Sequence, residues 1–323
     1  MKMPSRFALA TLFTLLSSAA ASAQEPVWDA NKVQLHREKL GEGVYAMIPA
    51  DASELAPKGV PMATTSGILV GSRATLVVDT MLNQKLADQV LGEVQKLSGG
   101  APTYALNTSY HGDHSFGNFL FPKSTLIIQH RATRDYVERN FPKDVQFMLG
   151  AFGSGRGIES AQPRTGDLLV PPGGMLQLDL GGKLVEIHDF GFAQTGGDLW
   201  VWLPQEKVLF AGNPVIAEKP AIPWLLDGHL QETLDTLVKV RNFLPADATI
   251  VPGHGRPLPK SGLDWHIEYL TALRDATAQQ IAAGATLEAA VAAVEVPAAR
   301  AYAIYGWVHK QINVPAAYKE LKH

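Results

Sequence analysis

Three side chains that commonly bind metal ions lie within four residues of one another, in the segment 107–118. They are His111, Asp113 and His114. Imidazole nitrogen and carboxylate oxygen are suitable ligands for zinc and for other borderline divalent metals. The short apolar run Tyr104–Leu106 precedes them and is typical of the end of a buried strand, while the glycines of the segment indicate a loop. A loop at a strand end can turn several side chains toward one point, so the segment predicts a metal site. The alternative is a polar loop whose histidines only satisfy backbone groups.

Two further segments show the same arrangement, in which a polar group follows an apolar strand. Residues 248–251 are apolar and lead into a Pro-Gly-His-Gly sequence that contains His254. Residues 74–78 are also mostly apolar, and Asp79 follows them. An acid at that place can orient a metal-bound histidine by accepting its ring N–H, or it can cap a helix or a turn. The order of strands, helix, strand and ligand loop occurs twice, which suggests two similar halves.

Composition restricts the kind of protein that this chain can be. Of its 323 residues, 46% are hydrophobic and 18% are charged, which is typical of a globular protein and not of a disordered one. The formal net charge is −3 and no run of Lys or Arg occurs, which argues against nucleic acid as a partner. The absence of cysteine excludes thiolate ligands and a Cys nucleophile.

The N-terminus has the pattern of a secretory signal peptide. Lys2 and Arg6 form a basic start, residues 7–16 are apolar, and small residues lead to an Ala-Ser-Ala cleavage site before Gln24. The apolar run is too short to span a bilayer, and no later stretch is long and apolar enough. The sequence therefore predicts removal of residues 1–23 and export to the periplasm of a mature protein that is not embedded in the membrane.

Apolar and alternating patterns predict a mixed α/β fold. The predicted strands cover residues 44–48, 66–70, 74–79, 104–107, 125–128, 175–180, 184–188, 199–203, 208–211 and 248–251. Helices are predicted from Asn83 to residue 98 and over 230–243, and the segment 261–323 is predicted to be mostly helical. Residues 141–174 are rich in Gly and Pro and are predicted to form a long irregular loop, which would serve as a lid, a dimer arm or both.

Four separated segments together resemble the metallo-β-lactamase superfamily. They are residues 107–118, 191–198, 209–213 and 251–257. The resemblance covers roughly residues 40–258, and it implies a four-layer αββα sandwich with a metal site at one edge, between the two halves. It also implies that residues 24–323 form a single domain of this type, with the C-terminal helices as an extension.

The chain departs from the motifs of the superfamily at three ligand positions. The first motif, His-x-His-x-Asp-His, has Ser109 at its first histidine, and Gln194 stands where the second motif has histidine. Asn213 replaces the acid that bridges two metal ions. Two cations a few ångströms apart repel each other strongly, so the loss of these groups predicts a single zinc ion per chain. The ligands that the resemblance assigns to it are Asp113, His114 and His254, with Asn213 as a weaker fourth.

This ligand pattern is similar to that of the exported mono-zinc dehalogenases of the superfamily, which hydrolyse chlorothalonil. The resemblance implies a homodimer that replaces an aryl chloride by hydroxide, using water activated by zinc and no organic cofactor. His111 and Asp113 would be the catalytic residues, with His111 as the general base or, alternatively, as a weak or orienting ligand. The residues predicted to bind the small chlorinated aromatic substrate are Trp224, Tyr110, Ser109 and Gln194. Ordinary core packing explains Trp224 equally well.

Three other functions remain open at this point. The same zinc site would also hydrolyse a lactam, a lactone or an ester, because activated water serves those reactions too. The second possibility is a non-catalytic descendant that lost its metal and binds a ligand or a partner. Iron in the same ligands, with oxygen chemistry, is the third. Chloride release compared with lactam and lactone turnover tests the first, and metal analysis tests the others.

Overall fold

Two β-sheets pack face to face, and helices cover their outer faces. The computed structural model describes residues 28–322. The predicted signal peptide, residues 1–23, lies outside them. The predicted αββα sandwich with C-terminal helices is confirmed. Within residues 28–322, no helix combines the length and the apolar composition that crossing a bilayer requires.

The first sheet has seven strands that follow one another in chain order. They are β1 (Leu35–Gly41), β2 (Val44–Pro49), β3 (Ser66–Val70), β4 (Thr75–Val78), β5 (Tyr104–Leu106), β6 (Leu126–His130) and β7 (Leu168–Val170). The strands β1 to β4 are antiparallel to their neighbours, whereas β4 to β7 run parallel.

The second sheet has six strands. They are β8 (Met175–Asp179), β9 (Leu184–His188), β10 (Trp200–Leu203), β11 (Val208–Gly212), β12 (Thr249–Pro252) and β13 (Leu258–Pro259). Their order in the sheet is again the chain order, and the pair β11 and β12 is parallel while the other pairs are antiparallel.

Helices connect and cover the two sheets. They are α1 (Ala52–Leu55), α2 (Gln84–Ser98), α3 (Gly112–Ser115), α4 (Arg131–Phe152), α5 (Leu230–Phe243), α6 (Gly262–Ala282), α7 (Leu287–Ala293), α8 (Tyr305–Trp307) and α9 (Val314–Lys322). Short 3₁₀ turns cover Ala56–Lys58, Phe116–Leu120 and Pro297–Ala299, and a π-helical segment, Val308–Asn313, joins α8 to α9.

The alternation of side chains along β4 separates two apolar layers. Leu76 and Val78 belong to the core between the sheets, whereas Val77 belongs to the outer layer that contains α2. Successive side chains of a strand point to opposite faces, so both faces of β4 are buried. α2 begins where predicted, because the side chain of Asn83 accepts a hydrogen bond from the backbone nitrogen of Leu86 at 3.1 Å.

The prediction of an irregular segment over residues 141–174 is wrong at both ends. α4 continues to Phe152 with Pro142 in its interior, and β7 adds a strand to the first sheet. Proline removes one helical hydrogen bond, but tertiary contacts outweigh this loss. The rings of Phe141 and Phe116 lie 5.1 Å apart, and Met148 is buried.

Residues 153–167 are the irregular part of that segment, and they are anchored to the first half of the fold. The guanidinium group of Arg164 donates hydrogen bonds to the carbonyl oxygens of Asn118, Phe121, Pro122 and Thr125. The structure therefore ties this loop to the segment that follows the predicted metal ligands.

Candidate metal centre

The polar residues of the candidate site follow parallel strands at one edge of the sandwich. Asp79 follows β4, and the one-turn helix α3 with Asp113 comes after β5. Asn213 directly follows β11, and His254 lies two residues beyond β12. β4 pairs with β5, and β11 pairs with β12, both in parallel. The carboxyl ends of parallel strands lie at the same edge of a sheet, and this is where ligand sites commonly form.

Four potential metal ligands converge there. Nε2 of His114 lies 2.9 Å from Oδ1 of Asn213 and 3.4 Å from Oδ2 of Asp113. The same carboxylate oxygen lies 3.5 Å from Nε2 of His254. Ligand atoms of Asp113, His114 and His254 all lie within 4.8 Å of one another. Ligands of a tetrahedral zinc ion are about 3.4 Å apart, because each lies about 2.0–2.2 Å from the ion.

Hydrogen bonds on the far side of the two histidines turn their other nitrogens toward this point. Nδ1 of His114 lies 2.7 Å from Oδ2 of Asp79, and Nδ1 of His254 lies 2.8 Å from the carbonyl oxygen of Met62. A carboxylate and a carbonyl only accept, so each Nδ1 donates and each Nε2 is left for a cation. This donor set fits a borderline divalent metal such as zinc. Of the two roles predicted for Asp79, the geometry corresponds to the orientation of a metal-binding histidine.

Hydrogen bonds from the segment before β3 hold the ligand loops in place. The backbone nitrogen of Thr65 donates to the carbonyl oxygen of Gly253 at 2.8 Å, and Oγ1 of Thr64 donates to Oδ2 of Asp113 at 2.8 Å. A Cβ atom at Gly253 would lie 2.2 Å from Oδ1 of Asn213, which is shorter than any van der Waals contact. Glycine is therefore required at position 253 for the Asn213 side chain to reach the site.

Opposite charges compensate for burial at the ligands. Burial disfavours ionisation of Asp113, but the neighbouring imidazoles of His114 and His254 outweigh it and lower the pKa of this carboxyl group. Burial likewise disfavours the charged form of His114, but the carboxylates of Asp113 and Asp79 raise the pKa of this ring to about 9. Burial lowers the pKa of His254. A cation that binds at Nε2 of His114 therefore has to displace a proton, so its affinity falls as the pH falls.

His111 lies beside the ligands. Its Nδ1 atom is 3.1 Å from the amide nitrogen of Asn213, and its ring meets the ring of Tyr110 edge-on at a centroid distance of 4.8 Å. Burial lowers the pKa of His111 to about 4. The ring lines the cavity described next, so it is placed to contact a bound molecule.

A largely apolar cavity borders the site. Asp113, Asn213, His254 and His111 contribute polar atoms to its wall. Aromatic and aliphatic side chains form most of the remaining wall, and they include Trp28, Met62, Phe147, Phe152, Trp224 and Trp307. Such walls, with a few polar groups at one place, are typical of sites that bind a largely apolar molecule.

The C-terminal segment holds one wall of this cavity. The rings of Trp224 and Trp307 are perpendicular, with centroids 5.1 Å apart. In the π-helical segment, Asn313 accepts a hydrogen bond from the backbone nitrogen of Leu225 at 2.9 Å and donates to the carbonyl oxygen of Pro223 at 2.7 Å. The backbone on both sides of Trp224 is therefore fixed by a single buried side chain.

Comparisons with known proteins agree with this fold. The sequence profile of the metallo-β-lactamase superfamily matches residues 59–254, more than half of the chain. The chain belongs to the metallo-β-lactamase superfamily. Its structure is similar to that of a metallo-β-lactamase from Pontibacter korlensis, with 17% sequence identity, a TM-score of 0.57, and coverage of 74% of this chain and 99% of the other. It is also similar to the stereoselective inverting sec-alkylsulfatase Pisa1 from Pseudomonas sp., with 14% identity, a TM-score of 0.68, and coverage of 88% of this chain and 50% of the other. At these identities the similarity to solved structures concerns the fold alone.

Two positions at which the superfamily's motifs have histidine hold buried neutral side chains here. Oγ of Ser109 accepts a hydrogen bond from the backbone nitrogen of His111 at 3.3 Å. Gln194 is 2% exposed, and within residues 28–322 neither polar atom of its side chain has a hydrogen-bond partner. Its loop is held by Asp198, which accepts from the backbone nitrogen of Gln194 at 2.6 Å, and burial raises the pKa of Asp198 to about 6.

The cavity does not support the substrate-binding role predicted for Ser109, Tyr110 and Gln194. Its described wall contains Trp224 but none of these three residues. The hydroxyl of Tyr110 donates to Oδ2 of Asp227 at 2.7 Å, and its ring stacks on that of Tyr136. Neighbours in sequence of a metal ligand can point elsewhere, because the chain turns sharply as it enters α3.

Several residues of the site have no signal in the sequence. Thr64 and the Met62 carbonyl support ligands, while Phe147, Phe152 and Trp307 line the cavity. None of them belongs to a ligand motif, and aromatic residues of this kind are usually found in the core. Their role is apparent only when distant segments are brought together in space.

Proposed function

We propose that the chain is a mono-zinc hydrolase that replaces an aryl chloride by hydroxide, with chlorothalonil as the substrate. The observation that carries this proposal is the convergence of four potential metal ligands, one of them the neutral Asn213, beside a cavity with aromatic walls. Superfamily membership and the ligand geometry support a metal-dependent hydrolase. The choice of an aryl chloride as the substrate rests on the resemblance of the ligand pattern and on the apolar character of the cavity.

The charges at the site favour a single cation. The ligands are Asp113, His114, His254 and Asn213. They contain one carboxylate, and the buried neutral Ser109 and Gln194 offer little to a second ion. Without a bridging carboxylate, the repulsion between two divalent ions a few ångströms apart is not compensated. When bound, zinc lowers the pKa of a coordinated water molecule toward about 7 and so supplies a nucleophile at neutral pH.

The replacement of chloride by hydroxide demands little proton transfer. Water supplies the oxygen, a C–O bond forms, and the C–Cl bond breaks as chloride leaves with the bonding electron pair. The proton left from water passes to the solvent. Negative charge develops on the ring during the attack, and the nitrile groups of chlorothalonil can delocalise it. No strong general acid is needed, which agrees with a cavity that has few polar groups.

The chain's own contribution is to hold the ring and to exclude bulk water. Trp224 and Trp307 offer aromatic faces and edges to a flat ring, and such contacts contribute about 0.5–1.5 kcal/mol each. Asn313 keeps the Trp224 backbone in place. Holding the reacting carbon beside the ligands in a fixed orientation lowers the free-energy barrier of a bimolecular reaction.

Chloride release tests the proposal. Purified protein is mixed with chlorothalonil, nitrocefin, a homoserine lactone and a secondary alkyl sulfate, with and without a chelator, and after zinc is restored. We expect chloride release in step with chlorothalonil consumption, loss of activity on chelation and recovery with zinc. A protein that turns over only the lactam, the lactone or the sulfate ester would refute the dehalogenase. A protein that retains well under one zinc ion per chain after mild purification would point instead to a binding protein, and iron as the bound metal would indicate a different chemistry.

We further propose that residues 1–23 direct export to the periplasm and that the mature chain forms a homodimer. The first proposal rests on the N-terminal sequence pattern, and the second rests on the resemblance to the dehalogenases. Cell fractionation with N-terminal sequencing of the mature protein tests export. Light scattering of the purified protein tests the dimer.

A further inference from the structure

The side chain of Asn213 lies between two histidines and touches each with a different end. Its Oδ1 atom is 2.9 Å from Nε2 of His114, and its Nδ2 atom is 3.1 Å from Nδ1 of His111. A carboxamide accepts hydrogen bonds at oxygen and donates them at nitrogen. The two contacts are therefore not equivalent, and the orientation of the amide determines what each histidine can do.

His114 determines that orientation. Its Nδ1 atom donates to the carboxylate of Asp79 at 2.7 Å, so its Nε2 atom is left with the lone pair that binds a metal. With a metal bound, only the oxygen of Asn213 can act as a ligand. Oδ1 therefore faces His114, and Nδ2 faces His111.

The hydrogen on His111 is thereby placed as well. Its Nδ1 atom accepts from Nδ2 of Asn213, which requires a lone pair on Nδ1 and hence a neutral ring with its hydrogen on Nε2. Within residues 28–322, Nε2 forms no hydrogen bond, and the ring lines the cavity beside Asp113. We infer that His111 acts as a hydrogen-bond donor, through Nε2–H, to an acceptor atom of the bound substrate, and not as a general base.

The inferred donor deepens the proposed function, on which it rests. In the attack on an aryl chloride, negative charge grows on the departing chlorine and on the nitrile nitrogens. A fixed N–H beside the ligands stabilises such charge where it develops, and it needs no change of protonation. The ligand class that His111 selects is therefore a molecule with an acceptor next to its reacting carbon, be it a halogen, a nitrile or a carbonyl.

Action as a base is incompatible with this geometry. A base at Nε2 would need the hydrogen on Nδ1, and that hydrogen would point at the N–H of Asn213. The amide would have to turn over, which would place its nitrogen toward His114 and the metal. Metal ligation by Asn213 and a basic Nε2 on His111 therefore exclude each other. An aspartate at position 213 would reverse this, because a carboxylate accepts from Nδ1–H and leaves Nε2 unprotonated.

NMR of the imidazole nitrogens tests the inference without any turnover. Protein labelled with ¹⁵N in its histidine rings is examined with zinc bound, and a His111→Gln sample identifies the signals of residue 111. We expect the protonated nitrogen of His111 to be Nε2 and the unprotonated one to be Nδ1. In Asn213→Asp the two should exchange. A wild-type His111 with hydrogen on Nδ1, or on both nitrogens, overturns the inference.

Kinetics of matched variants give a second test. The amide nitrogen of glutamine can occupy the position of Nε2 and donate, but glutamine cannot act as a base. We expect His111→Ala to lower kcat by about 10²–10³-fold and His111→Gln to retain activity within about tenfold of wild type. Equal losses in the two variants, at equal zinc content and equal thermal stability, would contradict the donor role. If wild type turns over no chlorothalonil, the proposed function fails, and the NMR result still decides which nitrogen of His111 carries the hydrogen.

Discussion

Asp79→Asn should weaken zinc binding although residue 79 touches no metal. The carboxylate of Asp79 is 1% exposed and accepts from Nδ1 of His114 at 2.7 Å and from the backbone nitrogen of Thr108 at 2.8 Å. Asparagine suits the backbone at this position, because φ is 63° and asparagine tolerates the left-handed region. Its amide oxygen can keep the bond from Thr108. Its nitrogen then faces Nδ1 of His114, which favours the tautomer with hydrogen on Nε2, the atom that must bind the metal.

The expected magnitude follows from the loss of an orienting partner. Removal of a group that orients a metal ligand weakens metal affinity by about 10–100-fold, or about 1.4–2.7 kcal/mol. Because Asp79→Asn also favours the tautomer of His114 that cannot bind the metal, we expect a loss of zinc affinity near the upper end of this range. Competition between the protein and a chromophoric zinc chelator measures the dissociation constant directly. Thermal unfolding of the chelated protein separates a weaker site from a weaker fold.

Asp189→Asn is the matched control. Oδ2 of Asp189 lies 3.4 Å from Nε2 of His130, so this is a second Asp–His pair, and neither residue is among the candidate ligands. We expect its zinc affinity to match that of wild type, since separate sites contribute independently. Zinc binding by Asp79→Asn as tight as that of wild type would refute the orienting role. An equal loss in both variants would refute it too, because the effect would then be general.

Three further changes have distinct expected outcomes. Gly253→Ala should lower the zinc content, because its Cβ would lie 2.2 Å from Oδ1 of Asn213, and full zinc occupancy by elemental analysis would contradict this. Asn313→Ala should raise KM for the proposed aromatic substrate more than it lowers kcat and cost about 1–3 kcal/mol of stability, because the backbone around Trp224 loses two hydrogen bonds. An unchanged KM would contradict a role of Asn313 in shaping the cavity. Burial raises the pKa of Asp144 to about 6, so the fold is more stable when this carboxyl group is protonated. This contribution to stability is complete below pH 3.8 and is lost as the pH rises through about 6. Asp144→Asn should therefore show a smaller fall in Tm between about pH 4 and about pH 8, and an identical fall would count against this carboxyl group.

Local patterns predicted the strands of the core well and failed where tertiary contacts decide. The predicted strand over 66–70 matches β3, because its residues are buried on both faces and its ends are marked by polar residues. Residues 141–174 were predicted to be irregular because they are rich in Gly and Pro, yet α4 extends to Phe152. Packing of Phe141 against Phe116 is a long-range contact, and no local rule contains it.

The ligands of the site were accessible from the sequence, whereas the residues that support them were not. Asp113 and His114 are adjacent in the chain, and their spacing from His111 predicts a metal site. Oγ1 of Thr64 reaches Asp113 from 49 residues away, and nothing around Thr64 in the sequence marks it. Tyr110 illustrates the opposite failure, since it sits within the motif but binds Asp227 and stacks on a tyrosine instead of lining the cavity.

The division between the metal ligands and the cavity wall explains why family membership leaves the substrate open. The superfamily match ends at residue 254 and includes all four ligands. Trp28, Tyr302 and Trp307 line the cavity and lie outside the match, on segments before and after it. The ligands determine what a bound cation does to water, and this is the same for a lactam, a sulfate ester or an aryl chloride. The wall determines which molecule lies beside that cation, because an apolar pocket discriminates by shape and by its few polar groups. We therefore expect substrate choice to depend largely on the segments that contain Trp28, Tyr302 and Trp307, and changes there should alter KM ratios between substrates while leaving zinc affinity unchanged.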